Sequence, residues 1–406
     1  MPVNLTPPEA LAAVPGIRLG TASLGIRKEP RHDVCVMEMA AGAITAAGFT
    51  RNAFCAAPVT VAREHLNQSS PRYLVINAGN ANAGTGREGD RAARAICAQV
   101  AELGQCDASQ VLPFSTGVIG ELLATSPFEQ ALPEAFSRLG EDQWLAAGAA
   151  IMTTDIVVKG VSKQYQVDGH NYVMTGITKG SGMICPDMAT MLAFIATDAP
   201  VAAEVLQECL DQAIGNSFNC VTVDGDTSTN DSCVLVATGA SGGERIESTT
   251  GQAYNSFSQA LIEVSQQLAQ AIIRDGEGAT KFITIDVSAG NNVDECRQVA
   301  YTVAHSPLVK TALFASDANW GRILAAVGRS GLDGLVVDEL KIFLDDVLIV
   351  ENGGRAGSYQ EEAGAKVLAR DEFTIGIQLG RGDASAQIWT CDLSHGYVTI
   401  NAEYRS

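Results

Sequence analysis

The sequence lacks the features of proteins that bind nucleic acids or membranes. Its 27 Lys and Arg residues stand against 46 Asp and Glu residues, which gives a net charge of −19. Binding to nucleic-acid phosphates requires an excess of positive charge on the protein, and anionic membranes also attract positively charged proteins. No apolar run approaches the ~20 residues that a membrane-spanning helix needs. We therefore expect neither a nucleic acid nor a membrane as a partner.

Motifs for metals and nucleotides are also missing. The 10 cysteines include no CxxC pair, and the 5 histidines stand apart from acids at ligand spacing. No GxxxxGK[ST] sequence is present. Residues 223–231 begin like a calcium loop, but Thr229 and Leu235 stand where that loop requires Gly and Glu. The sequence predicts no metal and no organic cofactor.

The composition is that of a compact globular protein. The chain has 406 residues, of which 46% are hydrophobic and 18% are charged, and its length favours two intertwined domains or one large layered domain. Because only 6% are aromatic, small apolar side chains must fill the interior, as in closely packed α and β layers. The first residues form neither a signal nor a transit peptide. We expect a cytoplasmic protein with reduced thiols.

Hydrophobic patterns predict a mixed α/β fold. Helices are expected at residues 86–104, 201–214, 252–274, 293–305 and 320–327. Strands are expected at residues 72–77, 111–114, 191–196, 220–223, 232–238, 282–287, 373–379, 386–391 and 397–402. Asp168-Gly169, within residues 164–178, is a hairpin signal. Mixed clusters of helices and strands favour sheets stacked between helix layers.

The most informative segment is KGSGMICPDMATMLAFIATDA, residues 179–199. Thr190 follows a small residue, Ala189, and a loop rich in Gly and Pro, and it precedes an apolar run typical of a buried strand. Its hydroxyl can attack the Ala189 carbonyl, so that hydrolysis of the ester leaves Thr190 as a new N-terminus. An α-amine titrates near ~7.7–8.0, against ~10.4 for Lys, and suits a catalytic base. From spacing alone, an ordinary Thr at a strand start remains an alternative.

This segment resembles the cleavage region of the ornithine acetyltransferase family, the glutamate N-acetyltransferases of arginine biosynthesis. The further blocks that carry the resemblance are NAGNANAGTG (77–86), STGVIG (115–120), MTTD (152–155), VDGDTSTND (223–231), RDGEGATK (274–281), DANWGRILAAVG (317–328) and CDLSHGYVTINAEYRS (391–406). Together they cover essentially the whole chain. Eight blocks in this order make another family improbable.

The resemblance implies a fold and a processed form. The fold is an α-β-β-α sandwich of two stacked sheets between helix layers, of the self-cleaving N-terminal-Thr type, with a smaller C-terminal α/β region at roughly 280–406. Cleavage at Ala189-Thr190 gives an α chain, residues 1–189, and a β chain, residues 190–406. The family implies two copies of each, an α2β2 heterotetramer.

The resemblance also assigns the site residues. Thr190 is the nucleophile, and Thr116 with Gly117 forms the oxyanion hole, although the residues alone favour a helix N-cap at Thr116. The substrate contacts that the family implies are Thr153, Lys179, Thr190, Glu277, Asn401 and Ser406. Thr154 is an alternative to Thr153. From the residues alone, a solvated Lys179 and an exposed loop acid at Glu277 are the commoner cases.

Two residues of the cleavage segment depart from the family pattern. Cys185 and Asp187 stand where Ala and Asn are more frequent. We hypothesise that the Asp187 carboxylate raises the pKa of the Thr190 ammonium, which leaves less free base at neutral pH. Such a pKa shift would affect the rate of the reaction and not its type.

The implied reaction moves an acetyl group from N2-acetylornithine to glutamate through an acetyl-Thr190 ester, with ping-pong kinetics. Acetyl-CoA as a second acetyl donor stays open, since no CoA-binding motif is apparent. One alternative is an amidohydrolase or aminopeptidase with an N-terminal nucleophile. The other is an amino-acid-binding protein that never cleaves itself.

Overall fold

The computed structural model of the chain describes residues 1–26, 31–185 and 191–403. The chain forms a sandwich unit, residues 7–219 and 226–272, and a C-terminal unit, residues 1–6, 220–225 and the chain from residue 273.

The strands are β1 Ile17–Ala22, β2 Val34–Met39, β3 Ile44–Phe49, β4 Tyr73–Asn80, β5 Val111–Val118, β6 Lys159–Val167, β7 His170–Lys179, β8 Leu192–Thr197, β9 Val221–Thr222, β10 Ser232–Ala237, β11 Phe282–Gly290, β12 Lys341–Leu344, β13 Val347–Glu351, β14 Gly354–Arg355, β15 Glu372–Gln378 and β16 Ala384–Cys391. The α-helices are α1 Ala57–Gln68, α2 Gly86–Gly104, α3 Phe128–Ser137, α4 Trp144–Ala150, α5 Ala203–Gly215, α6 Gln252–Arg274, α7 Val293–Ala304, α8 Pro307–Phe314, α9 Trp320–Gly328, α10 Glu361–Leu368 and α11 His395–Ala402.

The sandwich unit contains two sheets. In the described residues the first sheet has the strand order β1-β2-β4-β5, and the second has the order β3-β10-β8-β7-β6. Most neighbouring strands are antiparallel, but β4 pairs with β5 in parallel, and β8 pairs with β10 in parallel. These two parallel pairs hold the segments of greatest functional interest. Strand β5 carries the predicted oxyanion residues, and β8 begins two residues after Thr190 in the sequence.

A core of apolar side chains lies between the two sheets. Phe114 of β5 meets Phe194 of β8 edge-on, with ring centroids 5.2 Å apart, and Trp144 of α4 is fully buried in the same cluster. Helices α2 and α3 pack on the outer face of the first sheet. Helix α5 packs on β3 and β10 of the second sheet, and Leu268 of α6 lies against Gly176 of β7. The predicted α-β-β-α sandwich is confirmed.

The predicted hairpin joins β6 to β7. Its turn residues Asp168 and Gly169 have φ values of +48° and +84°, and positive φ at both positions is what a type I′ turn requires. The antiparallel pairing extends to Lys159 opposite Thr178. Because the register is fixed by the turn, Lys179 lies at the far end of the hairpin, at the edge where β8 begins.

The C-terminal unit is built on a third sheet. In the described residues its strand order is β14-β13-β12-β15-β11-β16-β9. Ile283, Ile285 and Val287 of β11 alternate along the strand and are fully buried, and helix α7 packs on β11 and β16. The period of two therefore marks a buried face of the sheet.

The last element differs from the expectation. Residues 397–402 were expected to form a strand, but they belong to helix α11. The side chain of Ser394 caps this helix by accepting a hydrogen bond from Gly396 N at 3.1 Å. Val398 and Ile400 are exposed. The pattern was misleading because no neighbouring strand covers these side chains within the described part of the chain.

Two further properties concern the described residues as a whole. None of their helices combines the length and the apolar character needed to cross a membrane. Among the same residues, no three His, Cys, Asp or Glu side chains come together in a way that could hold a metal ion.

Candidate functional site

The predicted oxyanion residues lie at the end of β5, where this strand runs beside β4. Gly117 pairs with Gly79 and has a φ of +131°, a value that favours Gly. A side chain at this position would overlap the backbone of Gly79 and Asn80. Thr116 is buried within β5, and no helix of the described chain begins here, so the alternative of a helix N-cap is wrong. The role in an oxyanion hole stays a prediction.

Lys179 ends β7 and points its amine at residues 115–117 of β5, the predicted oxyanion turn. Its Nζ donates a hydrogen bond to Thr116 Oγ1 at 3.1 Å, and the residue is only 5% exposed. The interpretation as a solvated surface Lys is therefore wrong. Since the ammonium can only donate, the Thr116 hydroxyl keeps its own hydrogen available for another acceptor. An acyl oxygen that gains negative charge is such an acceptor.

A buried ion pair supports this arrangement. Lys159 Nζ lies 2.7 Å from Asp155 Oδ1, and both side chains have an exposed fraction of 0%. Asp155 also accepts hydrogen bonds from Gly180 N at 2.7 Å and from Thr153 N at 2.8 Å. Burial alone would raise the pKa of Asp155, but the charges of Lys159 and Lys179 lower it well below its ordinary value. The Asp155 carboxylate thus binds both segments that carry a predicted substrate contact, Thr153 in one and Lys179 in the other.

The two neighbouring threonines have different surroundings. Thr153 is held through its backbone by Asp155, whereas the Thr154 hydroxyl lies 2.6 Å from Ser181 Oγ. Both residues are partly exposed. The choice between them as the substrate contact therefore stays open.

Glu277 and Asn401 meet in the C-terminal unit. Asn401 Nδ2 donates to Glu277 Oε2 at 2.8 Å, and Glu277 is only 7% exposed, so the interpretation as an exposed loop acid is wrong. The next residue, Gly278, has a φ of +69°, and a side chain there would overlap Tyr397 N at the start of α11. Close packing against Gly278 therefore brings α11 beside the Glu277 carboxylate. The substrate contacts of both residues stay predictions.

Four residues of the sequence analysis lie outside the described residues: Asp187, Ala189, Thr190 and Ser406. Met191, the residue that follows Thr190, is described. Its N–H donates to Asp231 Oδ1 at 3.0 Å. Cleavage and the hypothesis on Asp187 stay predictions.

The sequence analysis overlooked three residues that organise this region. Asp155 and Lys159 form the buried pair, and Asp231 holds Met191. Asp155 and Asp231 stand inside blocks that carry the family resemblance, MTTD and VDGDTSTND. For Asp231 the available signal was an acid directly before a strand.

Comparisons with known proteins agree on one family. The model of the ArgJ family matches residues 18–406. The chain is 54% identical over 406 residues to the arginine biosynthesis bifunctional protein ArgJ of Pseudomonas fluorescens, with 100% of each chain covered. It is 55% identical over 397 residues to the protein of the same name from Methylococcus capsulatus, which covers 98% of this chain and 97% of that one.

Solved structures of related proteins match parts of the chain. The arginine biosynthesis bifunctional protein argJ of Bacillus halodurans is 37% identical, covering 50% of this chain and 95% of its own, with a TM-score of 0.48. The ornithine acetyltransferase of Mycobacterium tuberculosis, solved with ornithine, is 30% identical, covering 44% of this chain and 94% of its own, with a TM-score of 0.40.

Proposed function

The chain belongs to the ArgJ family, and we propose that it moves the acetyl group of N2-acetylornithine to glutamate in arginine biosynthesis. The proposal is supported by curated relatives that are named arginine biosynthesis bifunctional proteins and match the chain from end to end. The enzyme first cuts itself. The Thr190 hydroxyl attacks the Ala189 carbonyl, and breaking the peptide C–N bond leaves an ester and frees the α-amine of Thr190. Water then hydrolyses the ester, which releases the Ala189 carboxylate and the Thr190 hydroxyl.

The first half-reaction forms an acetyl-enzyme. The Thr190 hydroxyl attacks the acetyl carbonyl of N2-acetylornithine, and the α-amine of Thr190 takes the hydroxyl proton. The carbonyl oxygen becomes an oxyanion, to which the Thr116 hydroxyl and the Gly117 N–H donate. When the C–N bond breaks, the proton passes to the leaving amine and ornithine departs.

The second half-reaction returns the enzyme to its starting state. The amine of glutamate attacks the acetyl ester, and the same two donors stabilise the second oxyanion. Breaking the ester bond releases N-acetylglutamate, and the proton that the glutamate amine loses passes through the α-amine to the Thr190 oxygen, which restores the hydroxyl. The scheme needs no metal and no organic cofactor, because the side chains and the α-amine supply each step.

One observation carries the proposal: the buried Lys179 ammonium donates to Thr116 Oγ1 at 3.1 Å, beside Gly117, where any side chain would overlap the backbone of Gly79 and Asn80. A positive charge kept out of water beside a hydroxyl donor suits a site where negative charge develops. Lys179 also holds the substrate in this proposal. Further substrate contacts come from Thr153, Glu277, Asn401 and Ser406.

We extend the proposal to assembly and cellular context. Residues 1–189 and 190–406 stay together after cleavage, since β7 and β8 are hydrogen-bonded neighbours on opposite sides of the cut. Two copies of each fragment form an α2β2 heterotetramer. The enzyme works in the cytoplasm. Acetyl-CoA is a second acetyl donor to be assayed as a substrate.

Electrophoresis and kinetics test the proposal together. Freshly made wild-type chain should separate under denaturing conditions into fragments of residues 1–189 and 190–406, and Thr190→Ala should stay whole and inactive. With N2-acetylornithine and glutamate varied, double-reciprocal plots should be parallel. Active wild-type protein that remains one intact chain would overturn the proposal.

The acceptor separates this function from its alternatives. If the acetyl-enzyme passes its acetyl group to water faster than to glutamate, the chain is an amidohydrolase. A chain that neither cleaves nor transfers acetyl, yet binds ornithine or glutamate, is a binding protein. Separate assays with acetyl-CoA and glutamate decide whether the second donor is accepted.

A further inference from the structure

The pair Asn230-Asp231 has no role in the reaction described above. Both residues are buried, and they directly precede β10, at the end of the block VDGDTSTND. At this position a hydrogen bond from the second sheet reaches Ser115 of the first sheet, the residue before Thr116. The pair is therefore placed to link the two.

The Asn230 side chain ties the second sheet to the first. Its Nδ2 donates to Ser115 O at 2.9 Å and to Ala81 O at 2.7 Å. Thr229 Oγ1 donates to Asn230 Oδ1 at 2.5 Å, and Asn230 N donates to Ser228 Oγ at 3.1 Å. Because both ends of the amide are engaged, its orientation is fixed. Ser115 is the residue before Thr116, so Asn230 sets the position of the oxyanion turn.

The Asp231 side chain holds Met191, the residue directly before β8. Its Oδ1 accepts from Met191 N at 3.0 Å, and Ser232 N donates to Met191 O at 3.1 Å. Both backbone groups of Met191 are thus engaged. Asp231 is in turn fixed through its own carbonyl, which accepts from Thr50 N at 2.9 Å. Met191 follows Thr190 directly in the chain.

We propose that Asn230 and Asp231 are positioning residues for the acyl chemistry at Thr190, because together they fix the distance from the oxyanion turn to the residue that follows the nucleophile. This inference rests on the proposed function. Neither side chain takes a chemical step in the proposed reaction. A shift of about 1 Å between reacting groups can lower a rate on the order of 100-fold, so such a link has a measurable effect.

The chemistry of Asp231 determines which variants are informative. Burial raises the pKa of Asp231 well above its ordinary value, although the Met191 N–H acts in the opposite direction. An uncharged amide is therefore a close substitute. Asp231→Asn keeps an oxygen acceptor for Met191 N, whereas Asp231→Ala removes it.

Asp198 provides a matched control. It is buried and follows the opposite end of β8, and its Oδ1 accepts from a backbone N–H, that of Val173, at 2.8 Å. Asp198→Ala thus removes the same kind of contact from the same sheet. It leaves both the oxyanion turn and Met191 untouched.

The experiment follows self-cleavage of the full chain by denaturing electrophoresis, beside its thermal unfolding midpoint. We expect Asp231→Ala to slow cleavage about 100-fold, Asp231→Asn to cleave at nearly the wild-type rate, and Asp198→Ala to unfold at a lower temperature with unchanged cleavage. For chains that have cleaved, Asp231→Ala should lower kcat for acetyl transfer and leave KM unchanged.

Several outcomes overturn the inference. If Asp231→Ala cleaves itself as fast as Asp198→Ala, Asp231 has no positioning role. If Asp231→Asn cleaves itself as slowly as Asp231→Ala, the carboxyl group has an acid-base role instead. If Asp231→Ala does not fold, Asn230→Ser, which shortens the link to Ser115, should slow cleavage in a folded chain. Unchanged cleavage in that variant also overturns the inference.

The wild-type chain separates this inference from the proposed function. A wild-type chain that stays whole and transfers no acetyl group defeats the proposed function, and the inference with it. If the wild-type chain and Asp231→Ala cleave themselves at the same rate, only the inference is wrong.

Discussion

The predicted site residues of the two units are held in different ways. In the sandwich unit, Thr116 and Lys179 lie buried at strand ends, beside the buried pair of Asp155 and Lys159. In the C-terminal unit, Glu277 is buried in a turn, but its partner Asn401 lies exposed on α11. Helix α11 has eight residues, and none of them is buried. The first region depends on charges removed from water, and the second on a short surface helix.

This difference predicts which property each region controls. A charge removed from water is costly to leave without its partner, so a substitution in the sandwich unit should affect folding and the chemical step together. A hydrogen bond from an exposed helix contributes less and competes with water. A substitution there should alter substrate affinity and leave folding intact.

Asp155→Asn should give the largest effect. The substitution removes the negative charge of a fully buried ion pair with Lys159, and breaking such a pair costs ~3–5 kcal/mol in the free energy of unfolding. Denaturant unfolding of the full chain measures this loss. Self-cleavage should slow in parallel, because Asp155 also holds Gly180 and Thr153.

The control is the exposed ion pair between Arg138 and Glu134. Glu134→Gln removes one charge of this pair at the surface, where ion pairs contribute little, so it should have a far smaller effect on unfolding. Equal losses in Asp155→Asn and Glu134→Gln would show that burial does not distinguish the two pairs.

The two regions also differ in how much of them could be predicted from the sequence. Local patterns predicted the hairpin through Asp168-Gly169, the bounds of α6 and the strand after Thr190, because each depends on neighbours in the chain. The contact between Asp231 and Met191 joins residues 40 positions apart, and hydrophobic periodicity contains no information on such a pair. The buried pairing of Asp155 was missed for a related reason, since burial of a charge depends on tertiary packing.

The C-terminal region was mispredicted for the opposite reason. The local pattern at residues 397–402 predicted a strand. The cap at Ser394 and packing against Gly278 favour a helix instead. The family resemblance nevertheless identified Glu277 and Asn401, which the structure brings within 2.8 Å of each other. Neither spacing nor composition would have paired them.

Thr116→Val should lower the rate of acetyl transfer and leave KM nearly unchanged. The variant keeps the shape of the side chain but loses the hydroxyl donor, and loss of one such donor costs ~2.7–4 kcal/mol of barrier, or ~100- to 1000-fold in kcat. Steady-state kinetics on the cleaved enzyme measures it. Thr116→Ser, which keeps a hydroxyl, should recover most of the rate.

A second buried threonine is the control for that variant. The Thr175 hydroxyl donates to Ala12 O at 2.8 Å, away from the oxyanion turn. Thr175→Val should lower stability without lowering kcat. If it lowers kcat as much as Thr116→Val, the hydroxyl of Thr116 has no special part in the chemistry.

Acid should remove the stabilisation that Asp155 provides. The pKa of Asp155 is lowered in the folded chain, so its contribution is complete above the ordinary carboxyl pKa of ~3.9 and is lost as the pH falls from there toward the lower folded value. The slope is at most ~1.4 kcal/mol per pH unit. The gap in unfolding free energy between wild type and Asp155→Asn should therefore stay constant above about pH 5 and narrow below pH ~3.9. A gap that is independent of pH in acid would contradict a charged Asp155.

Asn401→Ala should have the smallest effect and should act on binding. It removes the hydrogen bond to Glu277 Oε2, and a partly exposed bond of this kind contributes about 1 kcal/mol. We therefore expect KM for one amino-acid substrate to rise about 5-fold, with kcat and the unfolding midpoint unchanged. Thr399→Ala is the control, because the Thr399 hydroxyl bonds to His395 O within the same helix. If Asn401→Ala instead lowers kcat or destabilises the chain as Asp155→Asn does, the two regions are not held as differently as the structure indicates.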